Sequence, residues 1–307
     1  MAQPQPAVFA EGTQSHWFLH YRLNEGADLG AVRAAVSTVR GEAVGITPTD
    51  AVNLAVGFGP DLLARLAPDE VPDGFRPFTQ VGTEPGPVAV ATQEDLFLWA
   101  HSNRIDRNFD VAREARRSLG GLATLARETV AWVWHDNRDL TGFIDGTANP
   151  PVEEARELAV VADGPGAGGS FVITQRYIHD LERFHALDLT AQEAAVGRTK
   201  ADSVELEDKP ADAHISRVEI EDDDGKEIEI YRRSVPYGNS EEFGLYFIAF
   251  SDGLEAFDRM LANMYGTSGD GVHDRLMDFV HPVSGAYYFV PSVETMNALA
   301  PTPDAKD

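Results

Sequence analysis

The sequence predicts an α+β fold made of two tandem βαββαβ units. Three observations carry this: apolar strands alternate with amphipathic helices along both halves, a strand–turn–helix segment recurs, and a Pro- and Gly-rich tract interrupts regular structure near the middle.

In the first half, residues 16–23 form a β-like run, after which Val32, Val36 and Val39 recur on one helical face. Val52, Leu54, Val56 and Phe58 then alternate as a half-buried strand, and Pro60 opens a short helix to Leu66. Residues 95–101 read as a third strand leading into a helix whose Val111, Ala115 and Leu119 share a face. The run 130–135, rich in Trp and Val, closes the half as a fourth strand.

The second half repeats the theme. Residues 170–178 are a strand followed by a helix at 181–187, and 244–250 are a strand running into a helix that aligns Phe257, Leu261 and Met264. A strand at 287–290 ends the series. NLAVGFGPDLLARL at 53–66 parallels LYFIAFSDGLEAFDRML at 245–261, each an apolar strand ending in Phe, a turn and a helix. The boundary is expected between 145 and 169, where Pro150, Pro151 and DGPGAGGS break regular structure, dividing the chain into 1–144 and 145–307.

Composition narrows the function. At 307 residues and 43% hydrophobic content the chain can bury a sizeable core. Its net charge of −25 repels nucleic acid and anionic membrane surfaces, and a solvated acidic surface accounts for it. No stretch approaches the roughly 18 apolar residues of a membrane span, and the first residues carry no export signal, so a cytoplasmic location is expected. Cysteine is absent, which removes disulfides, thiolate nucleophiles, iron–sulfur clusters and thiolate-ligated haem.

The segment RVEIEDDDGKEIEIY at 217–231 alternates apolar and charged residues around Asp224-Gly225, a tight-turn signal that predicts a hairpin over 215–231. A hairpin returns its ends to one place, so His214 and Arg232 should meet at one end, with room for a planar cofactor. Nine histidines compete as metal ligands, and none shows paired zinc-site spacing such as HExxH. Spacing alone does not choose among them.

The choice comes from resemblance. GFIDGTANP at 142–150 resembles the GxxDG signature of dye-decolourising-type (DyP-type) haem peroxidases. The likeness continues through GGSFVITQRYIHDL (168–181), GRTK (197–200), ADAHISRV around His214, YRRSVPYG (231–238), GLYFIAF (244–250) and YYFVPS (287–292). It is dense over the second half and loose over the first, and is nearest to the shorter, class B members. The resemblance implies two ferredoxin-like units in a dimeric α+β barrel-like fold, with one haem b per chain held mainly by the C-terminal unit. It further implies reduction of hydrogen peroxide through a ferryl intermediate, oxidation of dyes, phenolics or other small one-electron donors, and a homo-oligomer.

By the same resemblance His214 is the proximal ligand. Asp274 is expected to accept the outer N–H of that imidazole, with Asp278 a weaker candidate. Asp145 and Arg232 are the expected catalytic pair, one shuttling a proton and the other offsetting charge on the departing oxygen; pairing between them would lower the Asp145 pKa. Arg233 should point the other way on an extended segment. Arg198 is similar to a propionate anchor, with Lys200 less certain; Ser234 is placed to hold a distal water; Leu245 and Phe247 would wall the pocket or simply belong to the core. Trp132, Trp134, Tyr287 and Tyr288 are candidate electron relays. Two other readings stand beside the peroxidase: a haem-handling protein that releases iron from haem, and a non-catalytic cargo protein, although the tail TPDAKD does not resemble a shell-docking peptide.

Overall fold

The computed structural model describes residues 2–45 and 47–303, so the last four residues of the TPDAKD tail lie outside the described residues. The first half runs β1 (Ser15–Leu23), α1 (Leu29–Val44), β2 (Asn53–Phe58), α2 (Pro60–Leu66), β3 (Leu96–Ser102), α3 (Ile105–Ser118) and β4 (Ala123–Trp132). The second runs α4 (Val152–Ala159), β5 (Ser170–His179), α5 (Leu181–His185), α6 (Leu189–Val196), α7 (His214–Val218), β6 (Tyr231–Arg232), β7 (Val235–Gly238), β8 (Phe243–Ser251), α8 (Glu255–Met264), β9 (Val280–Pro282), β10 (Ala286–Val290) and α9 (Val293–Leu299).

Side-chain caps mark where several helices begin. Asp28, Asp180, Asp188 and Ser292 each accept a hydrogen bond from a backbone N–H of the first turn of α1, α5, α6 and α9. At the end of α6, Gly197 takes the left-handed conformation at φ +91°, which turns the chain toward Arg198.

The strands pair antiparallel in the order β4-β1-β3-β2 in the first half and β7-β8-β5-β10 in the second, the same arrangement twice. Two seams, Ala131 with Tyr237 and Phe58 with Phe289, join them into a closed eight-stranded barrel. The expected α+β barrel of two βαββαβ units is therefore the fold. β6 extends β7 along one edge of β8, and β9 lies beside the end of β5.

Period-2 alternation divides the strands into an inner and an outer face. Phe18, Phe97, Trp99, Tyr246, Phe250 and Tyr288 form one buried cluster inside the barrel, and the Phe18 and Tyr246 rings stack with centroids 3.6 Å apart. Their neighbours Leu19, Leu96, Leu98 and Ala249 face outward into the larger core under the helices. Each large side chain so buried contributes about 1.5–3 kcal/mol. His20 sits among the inner aromatics, bonded through Nδ1 to the Tyr288 hydroxyl at 2.8 Å and through Nε2 to that of Tyr246 at 2.7 Å. Burial holds its pKa well below the usual 6.5, so the imidazole is neutral: one nitrogen donates and the other accepts. Tyr287 and Tyr288, expected as relays, are both fully buried.

Three expectations need correction. The fourth strand is Ala123–Trp132 rather than 130–135; its first six residues alternate between half-buried and exposed, so they lack an apolar run. The expected 215–231 hairpin shrinks to a short exposed ribbon around one bridge, Glu221 with Glu227, because residues 214–218 coil into α7 instead of extending. The recurrent strand–turn–helix match paired β2–α2 with β8–α8, whereas strand order makes β3–α3 the counterpart of β8–α8.

Candidate active site

A cleft with about 1460 Å³ of empty space, its open mouth included, lies against the outer face of β5 and β8. Ile173, Gln175, Tyr177 and His179 line it at every second position of β5, and Leu245 and Phe247 do so from β8. α8 supplies Phe257, Met260, Leu261 and Met264. The expected site residues Asp145, Arg198, His214, Arg232, Ser234, Leu245 and Phe247 all line this one cleft.

His214 opens α7, and its Nδ1 is 2.6 Å from Oδ2 of Asp274. Asp274 is wholly buried, and its other oxygen accepts the Leu276 backbone N–H, capping the short 3-10 helix Arg275–Asp278. The two segments are pinned by the Arg275 N–H bonded to the Asp212 carbonyl. An ionised carboxylate only accepts, so Nδ1 carries the proton, and Nε2 has no hydrogen-bond partner among the described residues. Burial alone lowers the pKa of His214, but the charge and hydrogen bond of Asp274 outweigh it and hold the net value above 6.5. Asp278 instead contacts His273, at 3.1 Å.

Asp145 sits at the end of a closed loop, where an Arg138–Ile144 bridge and a 2.9 Å bond from the Asp145 N–H to the Asn137 carbonyl fix its backbone. Gly146 beside it has φ +77°, a conformation that favours glycine. Burial raises the Asp145 pKa above the usual 3.8; Arg232 opposes this and the Asp139 charge adds to it. The pairing that would have lowered it is not formed as a direct ion pair, and desolvation outweighs the guanidinium, so the shift is upward. The Arg232 guanidinium makes no hydrogen bond or ion pair with any described residue, which leaves a fixed positive charge bordering the cleft.

Arg233 leaves the site, as an extended segment requires. Its guanidinium bonds the Val8 and Ala10 carbonyls at 2.8 and 2.6 Å and lies over the Trp99 ring. Ser234 returns to the cleft, its hydroxyl only loosely held by the Ile248 N–H at 3.4 Å. Arg198 donates to the Ser203 carbonyl and lies 3.6 Å from Glu219 and 3.8 Å from Glu205, so these acids compete with any carboxylate ligand. Lys200 donates to Gln192 and lies near the Phe143 ring.

Asp145, Gly146, Arg232 and Ser234 also border a second cleft, lined by Glu11, Thr13, His16, His135 and Asn149 among others. These four residues therefore stand where two openings meet. Sequence reasoning missed Asn149, whose side chain bonds both backbone groups of Arg232, although it lies inside the GFIDGTANP segment. It also missed a polar strip of the main cleft: His179 Nδ1 lies 3.7 Å from Asp139 Oδ2, and these two atoms and Gln175 Nε2 are buried without a hydrogen bond among the described residues; spacing gave no sign of them.

Comparison with known proteins agrees with this architecture. Residues 11–132 match the family described as Dyp-type peroxidase, N-terminal, and residues 136–295 match Dyp-type peroxidase, C-terminal. A dye-decolorizing peroxidase of Mycobacterium tuberculosis is 35% identical over 312 residues, covering 98% of this chain and 92% of its own. The encapsulated DyP-type peroxidase from Mycobacterium smegmatis superposes with a TM-score of 0.91 at 34% identity, covering 99% of this chain and all of that one. A DypB variant from Rhodococcus jostii RHA1, solved in complex with haem, has a TM-score of 0.91 at 31% identity, covering 97% and 99%. Fold and matches together define an oxidoreductase of the peroxidase class. The chain belongs to the Dyp-type peroxidase family.

Proposed function

We propose that the chain binds one haem b, chiefly through residues 145–307, and reduces hydrogen peroxide while oxidising small one-electron donors. The observation that carries this is the His214–Asp274 pair: an imidazole whose Nδ1 is fixed by a buried carboxylate and whose Nε2 is free on the wall of an apolar cleft. The donor set fits a porphyrin-held metal. No cluster of three or more His, Cys, Asp or Glu able to hold a bare ion occurs among the described residues, so one protein ligand leaves the rest to a macrocycle. Arg198 Nε, buried without a partner at the cleft, suits a carboxylate-bearing edge. The solved DypB relative holds haem.

Haem would supply the redox chemistry that splits the peroxide O–O bond. Asp145, once ionised, takes the proton from one peroxide oxygen and returns it to the other. Arg232, unpaired and permanently charged, offsets the negative charge that builds on the departing oxygen. Leu245 and Phe247 keep the reacting region apolar, and Ser234 holds a water beside it. The strongly acidic chain favours cationic or neutral donors over sulfonated ones. The reading includes the expected cytoplasmic location and homo-oligomeric state. Among the described residues no helix is long and apolar enough to cross a membrane.

The test is a haemin titration of the haem-free protein followed by one equivalent of peroxide. Stoichiometric binding, a Soret band of histidine ligation lost in His214→Ala, and a rapid spectral change with peroxide are expected. A protein that takes up no haemin, or a His214→Ala variant with an unchanged spectrum, overturns the assignment.

A further inference from the structure

We infer that Asn149 is a positioning residue for Arg232: its side-chain amide clasps the Arg232 peptide and ties the loop bearing Asp145 to the strand bearing the guanidinium. The inference rests on the role proposed above for Arg232. Asn149 Nδ2 donates to the Arg232 carbonyl at 2.7 Å, and Asn149 Oδ1 accepts the Arg232 N–H at 3.1 Å. One amide thus pairs with both polar groups of one residue, as a neighbouring β-strand would. Only a side chain with a donor and an acceptor at this reach does so.

The need for such a clasp follows from the strand. β6 is two residues long, and Tyr231 and Arg232 pair with β8 through Phe250 and Ala249 on one edge only. Among the described residues no strand lies beside the opposite edge of Arg232, and Asn149 supplies the missing partner. The guanidinium has no hydrogen bond among the described residues, so its position depends on the backbone that carries it. Asn149 is also fixed: its N–H bonds the Gly146 carbonyl at 3.1 Å, in the same loop whose Asp145 backbone is held by Asn137, including a 2.9 Å bond from Asn137 Nδ2 to the Asp145 carbonyl. One loop therefore sets carboxylate and guanidinium relative to each other without direct contact between them. A displacement of about 1 Å in such a pair is enough to cost a large factor in rate.

The test compares Asn149→Ala and Asn149→Asp with the parent and with Arg232→Leu. Asp keeps the acceptor and loses the donor. In the haem-free protein, amide exchange over residues 231–234 should quicken in Asn149→Ala and less so in Asn149→Asp. In the haem-loaded enzyme, haem content and Soret position should be unchanged, cyanide affinity should fall, and kcat/KM for peroxide should fall roughly ten- to a hundredfold with KM for the electron donor unaltered. Parent-like exchange, or a rate loss that only parallels loss of haem or of Tm, overturns the inference. If Arg232→Leu itself leaves peroxide turnover intact, the role proposed for Arg232 fails, and the exchange data still decide whether Asn149 holds that strand.

Discussion

His214 and Asp274 lie 60 residues apart in sequence and 2.6 Å apart in space, with the carboxylate sealed from solvent. A buried carboxylate at this distance orients the ring and increases the electron-donating power of the free Nε2. Replacing Asp274 by Asn keeps the shape and removes the charge. The expected result is haem affinity weakened roughly ten- to a hundredfold, read by haemin titration, with a more positive reduction potential. Parent-like affinity and potential would show that the contact only orients α7.

Arg232 and Asp145 should separate in their effects. Arg232→Leu removes a fixed charge and should lower the rate of reaction with peroxide by about 10²–10³. Asp145→Asn removes a proton carrier and should cost about 10²–10⁴. Stopped-flow absorbance with one equivalent of peroxide measures both, and haem binding should survive each change. Wild-type rates in either variant would remove that residue from the mechanism.

The raised pKa of Asp145 has a stability consequence. The folded state favours the protonated carboxyl, so its stabilising contribution is full below the ordinary carboxylate value of 3.8 and is lost as pH rises through the higher folded value. Asp145→Asn has no such loss. Its Tm relative to the parent should therefore rise from acid toward neutral pH and then level off. A Tm difference independent of pH would contradict the burial described for this group. The same protonation should slow the peroxide reaction of the parent in acid, at a higher pH than an ordinary carboxylate would.

His20 ties two tyrosine hydroxyls together inside the barrel. His20→Leu would leave both phenols without that partner in a dry interior. Thr174 still bonds the Tyr246 hydroxyl and the Glu94 backbone that of Tyr288, so the cost is about that of one unsatisfied buried group, about 1–3 kcal/mol in denaturant titrations. Because the outer-face cleft is built from the opposite side of the strands, haem stoichiometry should be retained.

Much of this fold was legible because its strands are nearly continuous apolar runs: residues 96–102 are buried throughout, and the sequence marks them plainly. β4 was misplaced because its first part is partly exposed and carries Arg127 and Glu128 among apolar residues. The repeat was inferred from a mismatched pair of segments, since every apolar strand that feeds a helix looks alike until strand order separates them. Motif resemblance singled out His214, Asp274 and Arg232, and the hairpin argument brought His214 and Arg232 to one cleft by the wrong local path: α7, rather than a strand, carries His214. Asn149 and the buried polar strip of Asp139, Gln175 and His179 escaped because such contacts are set by tertiary geometry that no spacing encodes.

The two halves share strand order but differ in their first crossover. Between β1 and β2 a single long helix, α1, lies back against the outer face of its sheet. Between β5 and β7 the chain takes a far longer excursion of three short helices and an exposed ribbon, and the matching outer face is left standing open. The cleft thus occupies ground that a single long helix covers in the first half, with short α7 along its wall. The shared strand order gives both halves the same outer face, and the longer second crossover leaves that face of the second half accessible where α1 covers it in the first.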